Sequence, residues 1–177
     1  MPADPDLDST LEQLRGPNDR SRHGLWGRRL MVGLMCLALV AAGTGWLGVH
    51  SDTVTATEGG YTLEVTYARV ARAGLDVPFT VRVTAPAPIT DDVVLAIPAD
   101  YFRMFETQGF FPEPSDATTD ADTVYLTFAA PPHGNTIVVD YDAYIQPAAQ
   151  LGHRATIGVI IAGVPRVSVP ITTTLVP

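Results

Sequence analysis

Residues 30–49 read LMVGLMCLALVAAGTGWLGV, twenty consecutive positions without a charge. Coiled into an α-helix at about 1.5 Å per residue, such a run is about 30 Å long, which is the thickness of the hydrocarbon core of a bilayer. A helix that is apolar on every side needs either lipid around it or the centre of a large core. A chain of 177 residues has room for one ordinary domain besides this run, not for a core that could swallow it. The sequence therefore predicts a transmembrane helix over residues 30–49. Trp26 and Trp46 stand near its two ends, where indole rings favour the membrane–water interface.

Charge sets the expected orientation. Arg15, Arg20, Arg22, Arg28 and Arg29 precede the run, and no arginine follows it until Arg69, whereas Asp52, Glu58 and Glu64 do. Basic residues stay on the cytoplasmic side, so the expectation is a cytoplasmic tail over residues 1–29, with Arg28 and Arg29 as membrane anchors. A polar linker then follows over residues 50–60, and a domain outside the cytoplasm over residues 61–177. The tail is rich in Pro and Asp and reads as solvated, although Leu7, Leu11 and Leu14 share the spacing of one helix face. Three rivals apply to the same run. In a cleaved signal peptide, Val40-Ala41-Ala42 would supply small residues at the cut, against a 29-residue leader that is long for the purpose. A lipoprotein signal at Cys36 would need a small residue where Met35 stands. A twin-arginine signal would use Arg28-Arg29. Ala38, Ala42 and the glycines of the run could also let two such helices approach closely.

Residues 50–177 carry fourteen acids against six arginines, close to the whole net charge of −8. An acidic surface repels phosphate backbones and argues against nucleic-acid binding. There is no lysine at all, a composition typical of GC-rich bacterial coding. Cys36 is the single cysteine, so the outer domain has no intrachain disulfide and no cysteine-based metal site. It must stand on packing alone.

From Tyr61 onward the apolar pattern has a period of two. Tyr61, Leu63, Val65 and Tyr67 alternate with polar residues, as do Val77, Phe79, Val81 and Val83. Pro78 has no N–H to donate, which places a sheet edge or a bulge there. Further strands are expected at residues 93–97 and 123–128, and around Ile137, Val139, Tyr141, Ala143 and Ile145. A closing hairpin joins residues 155–161 to 167–175 through Ala162-Gly163-Val164-Pro165. About seven short antiparallel strands, punctuated by Gly and Pro, give the count of an all-β immunoglobulin-like sandwich, with a barrel as the alternative. Between Tyr61 and Val83, a strand, a turn at Ala73-Gly74 and a Val-x-Phe-x-Val-x-Val strand follow one another. This resembles the opening of immunoglobulin-like adhesion-type domains of exported bacterial proteins. The resemblance implies the fold and no activity.

Searching for chemistry returns mainly exclusions. His23, His50, His133 and His153 lack the spacing of a zinc site. No serine lies in a G-x-S-x-G elbow, and without lysine neither an S-x-x-K motif nor a phosphate-binding P-loop exists. No catalytic residue and no cofactor is expected. Asp116, Asp120 and Asp122 cluster in a Pro-Ser-Thr-rich stretch and are weak candidate ligands for calcium, which needs about six to eight oxygens. A calcium or small-ligand sensor is accordingly the alternative function. The most distinctive segment is DYFRMFETQGFFPEP over residues 100–114. A helical turn there would bring Tyr101, Phe102 and Phe105 towards one face, and Phe110 and Phe111 follow beyond Gly109. These five aromatics either plug the end of the domain or present an apolar patch to a partner. The expected function is an accessory or interaction protein held by the lipid bilayer, contacting another membrane or envelope protein through this patch.

Overall fold

The computed structural model describes residues 19–43, 48–106, 109–149 and 151–176. They fall into two compact units that divide between Gly48 and Val49.

Among the described residues the first unit contains the helix α1 (Asp19–Gly43). Within it, Gly24–Gly43 is long and apolar enough to cross a membrane, and none of that stretch is buried against protein. It has the length and composition of a membrane anchor or of a signal sequence. The helix begins earlier than the charge-free run suggests, because nothing between Asp19 and Arg29 breaks it: Pro17 is the last proline before it. The expected tail is thus helical from Asp19, and Trp26, Arg28 and Arg29 all lie within α1, exposed. The remainder of the expected tail and Trp46 lie outside the described residues. Val49, expected at the end of the span, belongs to the second unit.

The second unit is mostly β. Its first large sheet contains β1 (His50–Glu58), β2 (Tyr61–Ala71), β4 (Phe79–Thr84), β9 (Thr136–Tyr141) and β6 (Phe110–Phe111) in the order β1-β2-β4-β9-β6, with β13 (Thr174–Leu175) paired to the end of β2. The second has the order β12-β11-β5-β8-β7, built from β12 (Val164–Thr172), β11 (Arg154–Ile161), β5 (Val93–Pro98), β8 (Thr123–Phe128) and β7 (Asp116–Asp120). A two-stranded ladder joins β3 (Asp76–Val77) to β10 (Ala143–Tyr144). Pairing is antiparallel apart from β13 with β2. A single turn of helix, α2 (Ala99–Phe102), follows β5.

The alternation read from the sequence sorts the side chains as expected. Leu63 and Val65 of β2, Val81 and Val83 of β4, Leu95 and Ile97 of β5, Phe128 of β8 and Ile157 and Val159 of β11 all enter one core cluster with Val167, Val169 and Ile171 of β12. β12 packs on β1 and β2, so the two large sheets share that core. Pro78 falls between β3 and β4, where the chain leaves the ladder with β10 and enters the ladder with β2. The closing hairpin turns at Ala162-Gly163, both at positive φ, between Ile161 and Val164.

The expected linker over residues 50–60 is instead a strand and its turn. β1 pairs along its whole length with β2, closing through Gly59-Gly60, whose positive φ values of 57° and 82° suit a two-residue hairpin. Its threonines and serine look like linker composition because they fill the solvent side, while Val54 and Ala56 alone turn towards the core. β7 is likewise a strand where a loop was expected, all five residues being exposed on a sheet edge.

Candidate functional site

The aromatic segment begins where β5 ends at Pro98. Proline here sets up the first turn without an N–H to lose, and α2 forms with the Arg103 N–H donating to the Ala99 carbonyl at 3.0 Å. One turn is enough to send Tyr101, Met104 and Phe105 inward. The segment is then fastened to the chain following β9: Glu106 N–H donates to the Tyr144 carbonyl at 2.9 Å, and the Gln146 side-chain amide donates to the Phe105 carbonyl at 2.8 Å. Phe110 and Phe111 pair with Tyr141 and Asp140 as β6, and successive strand residues point to opposite faces. Phe110 faces the core side and stacks on Tyr141 at 4.4 Å with the planes 19° apart. Phe111 faces the other way and is 79% exposed.

The five aromatics therefore divide. Tyr101 and Phe105 are buried, at 1% and 5% exposure, which corrects the expectation that they face a partner: the turn of α2 aims them into the core. Phe102 and Phe110 are half-buried. Tyr141, on β9, gathers the group, with ring contacts to Phe79, Phe102, Phe105 and Phe110. Its hydroxyl donates to the Glu106 carbonyl at 3.1 Å. Phe102, Phe105, Phe110, Tyr141, Val124 and Leu126 surround a recess of about 220 Å³ with Glu106 at its margin. Such a recess is small, apolar on most sides and open; it suits the tip of an apolar side chain better than a polar substrate.

Phe111 also terminates a polar face. In register from β1 to β6 along one row run Thr53, Thr66, Thr80, Asp140 and Phe111. The hydroxyls are largely satisfied across the strands: Thr53 with Thr66 at 2.9 Å, Thr57 with Thr62 at 3.0 Å, Thr84 with Thr136 at 3.2 Å, and Thr80 donating to Asp140 at 2.7 Å. Glu64 and Arg82 pair loosely at 3.7 Å. Phe111 is thus the one large apolar group in that row.

The weak calcium ligands do not converge. Asp116 and Asp120 stand at opposite ends of β7, about 13 Å apart along an extended strand, so a single ion cannot take both. Among the described residues no group of three or more His, Cys, Asp or Glu side chains is placed to hold a metal. The triad looked like a site because its residues are close in sequence, which an extended strand pulls apart.

Sequence reasoning missed a buried polar link beneath α2. The Tyr101 hydroxyl meets Thr173 Oγ1 at 2.9 Å, and Thr173 Oγ1 donates to the Ala68 carbonyl at 2.8 Å. With the threonine proton committed to Ala68, Tyr101 is the donor. Three segments distant in sequence are tied at one point, and only the fold brings them together. Burial pushes the Tyr101 phenol well above the ordinary tyrosine range, although the bond to Thr173 works in the opposite sense. The folded state therefore holds this proton more tightly than the unfolded chain. Stability from this group is complete below pH about 10 and falls above it, by about 1.4 kcal/mol per pH unit. Tyr101→Phe is expected to cost about 1 kcal/mol at neutral pH and to remove that part of the alkaline slope. Urea titrations of both proteins at pH 8 and pH 11 measure the two effects.

Comparison of the sequence with models of known protein families finds no match, and comparison with curated proteins finds no match either.

Proposed function

We propose that this chain is a single-pass membrane-tethered accessory protein. α1 anchors it with the N-terminus in the cytoplasm. The β unit, an immunoglobulin-like β-sandwich, meets another membrane or envelope protein outside through the surface around Phe111. The observation that carries the contact is Phe111 itself, 79% exposed on a two-residue edge strand. A large aromatic presented to water from a paired strand is the kind of side chain that anchors protein interfaces. The sandwich reading is supported by a six-stranded and a five-stranded sheet that turn their alternating apolar residues into one core. The tether is supported by an apolar helix with nothing of its own to bury it, and its direction by five arginines before that run against none until Arg69 after it.

A photo-crosslinking amino acid placed at position 111 of the full-length chain in growing cells tests the contact. The expected result is one discrete adduct at 111 that is missing with the probe at Thr118, an exposed residue on β7. Equal, diffuse labelling at both positions would remove the proposal.

A further inference from the structure

The second large sheet turns Leu95 and Ile97 of β5, Ile157 and Val159 of β11, and Val167 and Val169 of β12 into the core. The residues between them face the other way. Across that outer face Tyr125, Ala96, Gly158 and Ser168 stand in register on four neighbouring strands. They line a groove of about 320 Å³, with Glu58 and Arg166 also on its walls. Glycine inside a strand weakens it, and it often marks a place where another group comes close. Gly158 is not at positive φ. A Cβ there would meet the Ala96 Cβ at 3.7 Å, an ordinary contact. Neither backbone conformation nor packing therefore requires the glycine, and what its missing side chain leaves is the floor of the groove.

Arg166 is placed by a second local device. Val159 pairs with Val167 and Ile160 with Pro165, so Arg166 is the extra residue of a β-bulge, which re-aims a side chain. Its guanidinium lies over the Tyr61 ring, 5.1 Å from the centroid. That stack holds the group by its face and uses none of its N–H donors. Among the described residues no acceptor takes them. Nε is buried without a hydrogen-bond partner, and the arginines paired with acids are Arg82 and Arg103. Acids outnumber arginines fourteen to six over residues 50–177, so carboxylates are not scarce. Glu58 lines the same groove and still does not pair with Arg166.

We propose that this groove binds a small zwitterion of the α-amino acid type with an apolar side chain. The terminal N–H groups of Arg166 take its carboxylate, and the Glu58 carboxylate takes its ammonium. The apolar side chain lies over Gly158 and Ala96, with the Tyr125 ring as the far wall. The occupant is argued from charge complementarity and size. A bare anion drawn to Arg166 would meet Glu58, and a bare cation drawn to Glu58 would meet Arg166; a molecule carrying both charges satisfies both. The volume is at the lower end of the range for ligand pockets, which fits one residue rather than a chain. The groove belongs to the second sheet and Phe111 to the first, so this site does not depend on the contact proposed there.

The test uses the full-length chain in detergent and para-fluoro-L-phenylalanine, read by fluorine NMR line broadening. Broadening is expected with the parent chain and is reversed by excess unlabelled L-phenylalanine. Arg166→Gln and Gly158→Val are each expected to weaken binding about tenfold or more. Valine favours strands, so Gly158→Val should melt no lower than the parent, which separates a filled groove from a damaged fold. The para-fluoro forms of phenylpropionate, which lacks the ammonium, and of phenethylamine, which lacks the carboxylate, should each bind about tenfold more weakly than the amino acid. No competable broadening with the parent, equal broadening by the parent and either folded variant, or phenylpropionate binding as tightly as the amino acid would each overturn the proposal.

Discussion

Gly152→Ala is expected to lower the unfolding free energy by about 3 kcal/mol and Tm by about 10 °C or more, although the change adds a single methyl. Gly152 precedes β11, and its φ lies outside the left-handed region that favours glycine, so the reason is contact. A Cβ there would overlap the Thr173 carbonyl and crowd the Thr174 Cα. Neither is the far end of a flexible side chain. Thr173 is also the residue whose N–H donates to His153, and whose hydroxyl joins Tyr101 to Ala68. Moving its backbone strains a strand pair and a buried polar link together. Gly109→Ala is the matched control: a Cβ at Gly109 meets nothing within 4 Å, and a change within about 0.5 kcal/mol is expected. Urea denaturation of the two variants beside the parent measures the contrast. Equal stability at both positions would show that the approach of Gly152 to β13 is looser than described.

Phe105→Ala is expected to cost about 3 to 5 kcal/mol, whereas Phe111→Ala should change stability by less than about 0.5 kcal/mol. Phe105 is buried, touches the rings of Phe79, Tyr101 and Tyr141, and forms a bridge to Ile145. Its removal leaves a ring-sized cavity among groups held by several backbone hydrogen bonds, which limits how far they can collapse. Phe111 leaves no cavity because it fills none. The pair separates the two roles that an aromatic-rich segment can play. If Phe111→Ala were the more damaging substitution, the assignment of Phe105 to the plug and Phe111 to the surface would be reversed. Thermal melts of the two proteins decide it.

Where the sequence was legible, one physical signal dominated. Strands with one face in the core declare themselves by alternation, and β2, β4, β5, β9 and the β11–β12 hairpin stand where Leu63, Val81, Leu95, Val139, Val159 and Val169 placed them. The signal fades for edge strands. β1 has two inward apolar residues in nine, and β7 has no buried residue at all, so both read as linker or loop. What holds them is the backbone ladder, which every residue type can make and no composition reveals. The aromatic segment was recognisable, but its sorting was not. Helical spacing groups Tyr101, Phe102 and Phe105, yet which of them enters the core depends on where α2 sits against β9, and that is a tertiary fact. The contact between Tyr101 and Thr173 spans 72 positions and leaves no local trace. α1 was legible in its apolar stretch and misjudged at its start, because a helix continues past the apolar residues until something stops it.

The central claim is that α1 remains in the membrane and holds the β unit outside. It is tested most directly by carbonate washing of membranes from cells that make the full-length chain with a tag at each terminus, followed by protease added to the outer side of the intact membrane. The account requires both tags on one polypeptide in the washed membrane, with the C-terminal tag and β unit digested and the N-terminal tag protected. A chain recovered in the soluble fraction, or one whose N-terminus begins after Ala42 with the apolar segment gone, would contradict it.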